Sequence, residues 1–189
     1  MNIIKKTYTW NGILSKRYLT NYIVLHHRAG DGDVESIHKQ HLSQTWTGIG
    51  YHFYIRKDGK IYEGRPINTW GSHCIGYNDK SVGVCFEGNF EIEAPTKEQI
   101  KSGQELVQYL KDIYPQAKVV RHKDLYATAC PGKKFAFDEI KKGVTEMTLE
   151  KAIEIVKTKA VLEQQTIDFL LCYKYGEELI IKLAKAMEG

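Results

Sequence analysis

Residues 22–27, Tyr22-Ile-Val-Leu-His-His, are the starting point for predicting the fold of this chain. The run is apolar and β-branched at its centre, which is typical of a strand buried inside a sheet. It ends in two adjacent histidines, followed by the turn sequence Ala29-Gly-Asp-Gly. Consecutive side chains of a strand point to opposite faces. Only one of His26 and His27 can therefore face a given side of the sheet.

Strand and helix patterns alternate in the residues that follow. The predicted strands are residues 51–55, 60–63, 81–86 and 118–120, and the predicted helices begin after Asp33 and after Pro95. Asp58-Gly, between the predicted strands 51–55 and 60–63, is a hairpin signal. Strands that alternate with helices predict an α/β fold with a central mixed β-sheet flanked by helices.

The pattern changes after Gly143. From Thr148 to Met187 the apolar residues recur at helical spacing, with a break at Gly176, which predicts two or three amphipathic helices. A segment of about 45 residues is near the lower limit for independent stability. We therefore predict a main domain, residues 1–143, and a small all-helical C-terminal extension, residues 144–189, that docks on the main domain or self-associates.

Length and composition indicate a folded protein with one ordinary domain and a small appendage. Of the 189 residues, 42% are hydrophobic and 26% are charged, which excludes a disordered chain. The longest apolar runs, such as Ile23 to Leu25, are far too short to cross a bilayer, so no membrane partner is expected. Residues 1–9 hold Lys5 and Lys6 but no apolar segment. The absence of a signal peptide predicts synthesis and retention in the cytoplasm.

The charge is distributed unevenly along the chain. The net charge is +4, yet residues 145–189 contain 6 Lys and 8 Asp or Glu, so the basic excess lies in residues 1–144. A basic body favours an anionic partner. Because no run of Lys and Arg and no basic–aromatic module is present, nucleic acid is not expected. An anionic polymer such as cell wall fits the charge equally well.

The loop from Arg121 to Gly132 holds a candidate metal site. His122 precedes Cys130 by eight residues, and neither belongs to a CxxC or HExxH pair. The spacing suits a loop that brings two ligands to one metal ion, with a third from elsewhere. Three protein ligands leave a fourth position for water, as in catalytic zinc sites. Spacing alone leaves His26 and His27 equal as the third ligand.

The other histidines and cysteines have simpler interpretations. His38 and His41 lie on a predicted helix and are expected at the surface or its boundary. Cys74, Cys85 and Cys172 are expected to be small buried hydrophobic residues.

Eight short motifs occur in one order and at suitable intervals. They are Leu25-His-His-Arg-Ala, Gly50-Tyr-His-Phe-Tyr-Ile, Asp58-Gly, Glu63-Gly-Arg, Gly71-Ser-His, Gly76-Tyr-Asn, Ser81-Val-Gly-Val, and Arg121-His with Cys130-Pro-Gly. Together they resemble the zinc-dependent N-acetylmuramoyl-L-alanine amidases of the bacteriophage-lysozyme and peptidoglycan-recognition-protein type. The resemblance covers roughly residues 22–140.

The resemblance implies that His26, His122 and Cys130 hold one Zn²⁺ ion, with water as the fourth ligand. It also implies that Tyr51 is catalytic and stands beside the zinc-bound water or the substrate carbonyl. Thr128 occupies a second catalytic position, where phage-type relatives have a lysine and peptidoglycan-recognition amidases have threonine. The bond implied as the target joins the lactyl carbonyl of N-acetylmuramic acid to the first L-Ala of the stem peptide.

Other branches of the family have a catalytic Glu at a position that aligns with Cys85. Glu87, two residues further along the same strand face, is the reserve general base, and a solvated strand end is its alternative interpretation. His73, Trp70 and Asn78, together with Trp46, are candidate substrate contacts. Surface or core positions are the alternatives for these four residues.

The resemblance predicts a peptidoglycan hydrolase that acts as a lytic phage or prophage endolysin, held in the cytoplasm until holin-type export or lysis releases it to the cell wall. The main alternative is a module that binds peptidoglycan without cutting it, and Cys130 counts against it because such modules typically lack that ligand. A structural zinc site would need a fourth protein ligand. The helices of residues 144–189 are expected to target the wall, to dock, or to form a homodimer.

Overall fold

The computed structural model describes residues 1–144 and 148–188. The chain divides into two compact units, Met1–Val144 and Thr145–Gly189. Each unit has a hydrophobic core of its own. Among the described residues, no helix is both long enough and apolar enough to cross a membrane.

The first unit is built on one six-stranded sheet. Its strands are β1 Ile3–Ile4, β2 Tyr22–His27, β3 Phe53–Ile55, β4 Ile61–Glu63, β5 Ser81–Phe86 and β6 Lys118–Arg121, in the order β1-β4-β3-β5-β2-β6. The β3–β4 pair is antiparallel and the other four pairs are parallel. This mixed sheet confirms the predicted α/β class. The predicted strand 51–55 begins two residues late, at Phe53, and the two-residue strand β1 is too short to show a period in the sequence.

Helices cover both faces of the sheet. Helix α1, Val34–Ser43, places Val34 and Ile37 against Tyr54 and Cys85 on one face. On the other face lie α2, Lys97–Ile113, and the short helix α3, Phe137–Lys141. The apolar side of α2 (Leu106, Val107 and Leu110) packs on the inward residues of β2 and β5. The central strands are therefore buried on both faces, which explains their continuous apolar sequence.

Two residues lie in environments different from those expected. His38 is buried rather than at the surface: its Nδ1 accepts a hydrogen bond from the Ile49 amide at 3.1 Å, and its Nε2 lies 3.0 Å from the Thr9 carbonyl oxygen. Cys172 is exposed rather than buried, and its thiol donates to the Asp168 carbonyl at 3.2 Å. The expectation for His38 was wrong because its partners, Ile49 and Thr9, are distant in sequence. The expectation for Cys172 was wrong because this residue lies at the exposed end of a helix. Cys74 and Cys85 are buried as predicted.

The described part of the second unit, residues 148–188, contains three helices. They are α4 Leu149–Ala160, α5 Gln164–Leu171 and α6 Gly176–Glu188. Ala152, Val156, Ile167, Ile180 and Ala184 form its buried core. The helical spacing in the sequence therefore predicted the type of structure. The residue at the predicted break, Gly176, is the first residue of the last helix.

Candidate active site

The paired strands β2 and β6 bring two histidines to one edge of the sheet. The strands run parallel, and Leu25 lies opposite Arg121. The next residue of each chain segment is a histidine, His26 on β2 and His122 at the start of a short 3₁₀ turn, His122–Asp124. Their ring centroids lie 4.4 Å apart. Strand register thus places two residues 96 positions apart side by side.

Cys130 completes the cluster from the loop that follows. The loop folds back because the Lys123 amide donates to the Cys130 carbonyl at 2.9 Å. The Cys130 sulfur lies 3.8 Å from His26 Nδ1, and one ligand atom from each of His26, His122 and Cys130 lies within 4.8 Å of the others. The structure therefore brings together the three residues predicted as ligands, and it places His26 rather than His27 beside His122 and Cys130. Two imidazole nitrogens and one sulfur are donors that zinc prefers.

His27 points to the opposite face of the sheet, where its Nδ1 accepts a hydrogen bond from the Phe90 amide at 3.1 Å. Its own backbone amide contributes to the cluster, because it donates to the Cys130 sulfur at 3.4 Å. An amide donor at this distance stabilises negative charge on sulfur. His27 therefore supports the site through its main chain.

Burial sets the protonation of the three side chains in this cluster. It lowers the pKa of His26 well below the usual value, and the neighbouring His122 and His27 lower it further. Burial also lowers the pKa of His122. Both imidazoles are therefore neutral near pH 7, with a lone pair available for a metal. Burial raises the pKa of Cys130 to about 12, so the thiol keeps its proton unless a cation takes the proton's place.

Tyr51 lies directly beside the cluster, with its ring centroid 5.3 Å from that of His26. Burial, and then the neighbouring thiol groups of Cys85 and Cys130, hold the pKa of Tyr51 well above its usual range. The side chain therefore remains a protonated phenol that can donate a hydrogen bond. Thr128 lies on the Cys130 loop, and its hydroxyl oxygen accepts from the Cys130 amide at 3.3 Å. That contact leaves the Thr128 hydroxyl hydrogen available for another partner.

A cavity of about 330 Å³ opens beside the cluster. Five of the site residues predicted from the sequence line it: Trp46, Tyr51, His73, Asn78 and His122. Trp70 is half-exposed outside this lining. The side-chain oxygen of Asn78 accepts from the amides of His73 and Cys74, at 2.8 and 3.0 Å, so Asn78 also shapes the loop that forms one wall.

His41 and Tyr126 also line this cavity, although the sequence interpretation did not select them. His41 Nδ1 accepts from the Gly50 amide at 3.1 Å, and burial lowers the pKa of His41 to about 4. The ring is therefore neutral and carries its proton on Nε2. The Tyr126 ring stacks on that of His122, with centroids 5.8 Å apart. The sequence could have indicated this position of His41, because His41 lies one helical turn after the buried Ile37 and so on the same side of α1.

Glu87 is neither a free base nor a solvated strand end, which corrects both expectations for this residue. Its side chain is buried, and its carboxylate accepts from the Gly32 amide at 3.0 Å and the Lys57 amide at 2.9 Å. It also pairs with Arg56 at 3.2 Å. These contacts tie the end of β5 to two neighbouring loops. A carboxylate engaged in this way has no lone pair directed at the cavity.

Comparisons with known proteins identify the family. The model of the family described as N-acetylmuramoyl-L-alanine amidase matches residues 16–133. The endolysin of Enterobacteria phage K11 is 35% identical over 126 residues, which cover 62% of this chain and 83% of the endolysin. Peptidoglycan-recognition protein SC2 of Drosophila melanogaster is 34% identical over 153 residues, which cover 70% of this chain and 81% of that protein.

A solved structure shows the same fold at higher identity. N-acetylmuramoyl-L-alanine amidase LysC from Clostridium intestinale URNW superposes with a TM-score of 0.73 and 44% identity, over 75% of this chain and 95% of that one. The chain therefore belongs to the N-acetylmuramoyl-L-alanine amidase family, and it is an enzyme of that class.

Proposed function

We propose that the chain is a zinc-dependent endolysin that hydrolyses the amide bond between N-acetylmuramic acid and the L-Ala of the stem peptide. The observation that carries this proposal is the cluster of His26, His122 and Cys130 at the end of a cavity that Tyr51 also lines. Peptidoglycan is the partner that the family implies, and the basic excess of residues 1–144 suits an anionic wall.

The three side chains fit zinc in number and chemistry, and the two imidazoles are in the neutral form that binds a metal. Two neutral imidazoles and one sulfur would hold the ion and leave an open position, which is the pattern of a catalytic site. A bound zinc ion would supply a Lewis acid and lower the pKa of a water molecule. The His27 amide stabilises the thiolate form of Cys130 that such a site requires.

Tyr51 is proposed to stabilise the reacting carbonyl. Its phenol stays protonated, so it can donate a hydrogen bond to the carbonyl oxygen as that oxygen gains negative charge. A donor fixed in position before the reaction costs little reorganisation when charge develops. Thr128 is proposed as a second, weaker donor, since its hydroxyl hydrogen is free and carries no charge.

The cavity is proposed to bind the sugar and the first residues of the stem peptide. Trp46 and Tyr126 supply flat apolar area against which sugar or peptide groups can pack. His41 offers a neutral Nε2–H donor, because its Nδ1 is engaged by the Gly50 amide. An apolar lining with a few fixed donors is typical of a site that orients one ligand.

The second candidate function is recognition of peptidoglycan without cleavage, which the matches to peptidoglycan-recognition proteins raise. The proximity of all three ligand side chains to Tyr51 favours the enzyme. A binding module needs neither a cysteine ligand nor a phenol placed next to it.

Mass spectrometry of digested peptidoglycan tests the bond that is cut. Purified walls incubated with the chain should release stem peptides with a free L-Ala amino terminus, and glycan strands that retain intact N-acetylmuramic acid. Incubation with EDTA should abolish this release. New reducing sugar ends, or cleavage within the stem peptide, would show that the bond is misassigned, and an absence of products would favour the recognition module.

Replacement of one ligand tests the metal separately. We expect Cys130→Ser to lose bound zinc, measured by elemental analysis, and to lose release of peptides from walls, because a hydroxyl is a poor zinc ligand compared with a thiolate. Circular dichroism should show an unchanged content of helix and strand, since Cys130 lies in a loop outside the core. Wild-type peptide release by this variant would contradict the zinc mechanism.

We further propose that the three-helix unit directs the enzyme to the wall. The support is that it has its own core and presents Phe169, Tyr173 and Tyr175 largely to solvent. Exposed aromatic side chains are suited to contacts with sugar rings. A homodimer formed through these helices is the alternative use of the same surface.

A further inference from the structure

His73 is held in a narrow slot beside the proposed ligand His26. Its Nδ1 lies 3.0 Å from His26 Nε2, and the two rings meet edge to face at an interplanar angle of 84°. On its other side, His73 Nε2 lies 3.4 Å from the hydroxyl oxygen of Ser81. Both ring nitrogens of His73 therefore have partners within the protein. A substrate could contact only the face of this ring.

Two glycines form the walls of this slot. A Cβ atom placed on Gly83 would lie 2.5 Å from the His73 ring, and one placed on Gly71 would lie 2.3 Å from it. Any larger residue at either position would collide with the imidazole. The loop that carries the ring is fixed as well, because Asn78 accepts from the His73 amide. The surroundings are therefore shaped to hold one orientation of His73.

The hydrogen bonds can run in only one direction if His26 is a ligand. His26 Nδ1 is the nitrogen that faces Cys130, so it must carry the lone pair and Nε2 must carry the proton. His26 Nε2 then donates to His73 Nδ1, which places the proton of His73 on Nε2. That proton points to Ser81, whose own hydroxyl donates to the Tyr77 carbonyl at 2.6 Å. The oxygen of Ser81 is therefore free to accept.

We infer that His73 is a positioning residue that fixes the tautomer and the ring orientation of His26, so that Nδ1 is presented to zinc. This inference rests on the proposed zinc function and names a residue outside the ligand set. The three hydrogen bonds that link His26, His73, Ser81 and Tyr77 fix which atom donates and which accepts at each step. No proton is transferred along them in the reaction. Partners of this kind typically account for 10–100-fold in metal affinity.

Two substitutions at His73 separate hydrogen bonding from packing. His73→Phe keeps an aromatic ring of similar size but has no acceptor for His26 Nε2–H. His73→Asn is smaller, but its side-chain oxygen can lie close to the position of Nδ1. We expect His73→Phe to weaken zinc binding 10–100-fold in a competition titration with a chelator, and His73→Asn to recover most of that loss.

A control and a second variant guard against general effects on folding. His38 is also buried with both nitrogens engaged, but its partners are Ile49 and Thr9. His38→Phe should lower Tm and leave zinc affinity unchanged. If His73→Phe does not fold, Ser81→Ala is the second variant. It removes the acceptor for His73 Nε2–H and should weaken zinc binding several-fold.

The tautomer itself is measured without zinc. Long-range ¹H–¹⁵N NMR spectra of the zinc-free wild type should show His26 protonated on Nε2, and the Ser81→Ala and His73→Phe variants should show a mixture of tautomers. Protonation of His26 on Nδ1 in the wild type, or equal zinc affinity of wild type and His73→Phe, would overturn the inference. If the wild type bound no zinc, the proposed function would fail, while the NMR result would still decide the role of His73.

Discussion

Tyr51 is the residue whose contribution can be separated most cleanly from metal binding. Its ring lies 5.3 Å from that of His26, and its phenol is a donor rather than a ligand. We expect Tyr51→Phe to retain one zinc per chain, because the three ligand side chains are untouched. Loss of a single fixed donor to a developing oxyanion should lower kcat about 10²–10³-fold. The measurement is the initial rate of peptide release from walls, with zinc content determined on the same sample, and an unchanged kcat would remove Tyr51 from the mechanism.

His52 makes the stability of the folded chain depend on pH. It is fully buried between Gly83, whose amide donates to Nδ1 at 3.0 Å, and the Thr69 carbonyl, which lies 2.9 Å from Nε2. Burial lowers the pKa of His52 to about 3. In the unfolded chain the value is about 6.5, so below that pH the unfolded chain gains a proton that the folded chain does not take up. Stability contributed by neutral His52 is therefore lost as pH falls from about 6.5 toward 3.

The size of this effect follows from the two pKa values. Between pH 7 and pH 5, His52 should lower the free energy of unfolding of the wild type by about 2 kcal/mol. In urea titrations with EDTA present, the advantage of wild type over His52→Gln should shrink by that amount across the interval. A stability difference independent of pH would contradict the assignment of His52 as a buried neutral group.

At the scale of elements, the site is a product of strand order. Sequence periodicity identified β2 and β6, and it placed a histidine at or after the end of each. It did not show that these strands are neighbours, and their parallel pairing is what brings His26 next to His122. Spacing alone therefore left His26 and His27 equal, and only the face of the sheet on which Cys130 lies separates them.

The errors of the sequence interpretation have the same origin. The bounds of α1 were close to those predicted, but the segments that cover this helix were not, so the buried His38 was expected nearer the surface. His41 is partly buried, which agrees with the boundary position expected for it. Glu87 directly follows the well-predicted strand β5, yet its partners Arg56 and Gly32 come from separate loops. Pairings between distant segments are decided by the assembled fold, and local patterns carry little information about them.

The start of α2 offers a test of element stability. Thr96 and Gln99 form a capping box: the Thr96 hydroxyl oxygen accepts from the Gln99 amide at 3.0 Å, and the Gln99 side chain accepts from the Thr96 amide at 3.1 Å. The Thr96 hydroxyl also donates to the Lys57 carbonyl at 2.8 Å. We expect Thr96→Ala to lower the free energy of unfolding by about 1–2 kcal/mol in urea titrations.

A neighbouring substitution is the control for this prediction. Lys97 is exposed in the first turn of α2 and takes no part in the capping box. Lys97→Ala should change the free energy of unfolding by less than about 0.5 kcal/mol. Equal effects of the two substitutions would mean that the cap does not stabilise α2.

At the scale of the whole molecule, the chain has two compact units, and the family match lies within the first of them. The amidase family model ends at residue 133, and α4 begins at Leu149. The sequence predicted helices in this second unit because amphipathic spacing is a local property. It could not predict their partner, since an exposed aromatic surface suits a wall polymer, a second copy or a neighbouring domain equally well.

A chain that ends at Gly143 separates catalysis from attachment to the wall. Because the first unit holds the sheet, the cavity and the ligand cluster, the shortened chain should fold, bind zinc and cleave soluble muropeptides at a rate close to that of the full chain. Its binding to insoluble walls in a pull-down should fall at least about tenfold, because a second tethered contact can raise apparent affinity by about 10²–10⁴.

The mass of each chain in solution distinguishes the two uses of the helices. Light scattering should give the mass of one copy for both the full and the shortened chain if the three-helix unit binds the wall. Unchanged wall binding after truncation would eliminate the targeting role. A full chain with the mass of two copies, reduced to one copy by truncation, would assign the exposed side chains Phe169, Tyr173 and Tyr175 to a dimer interface instead.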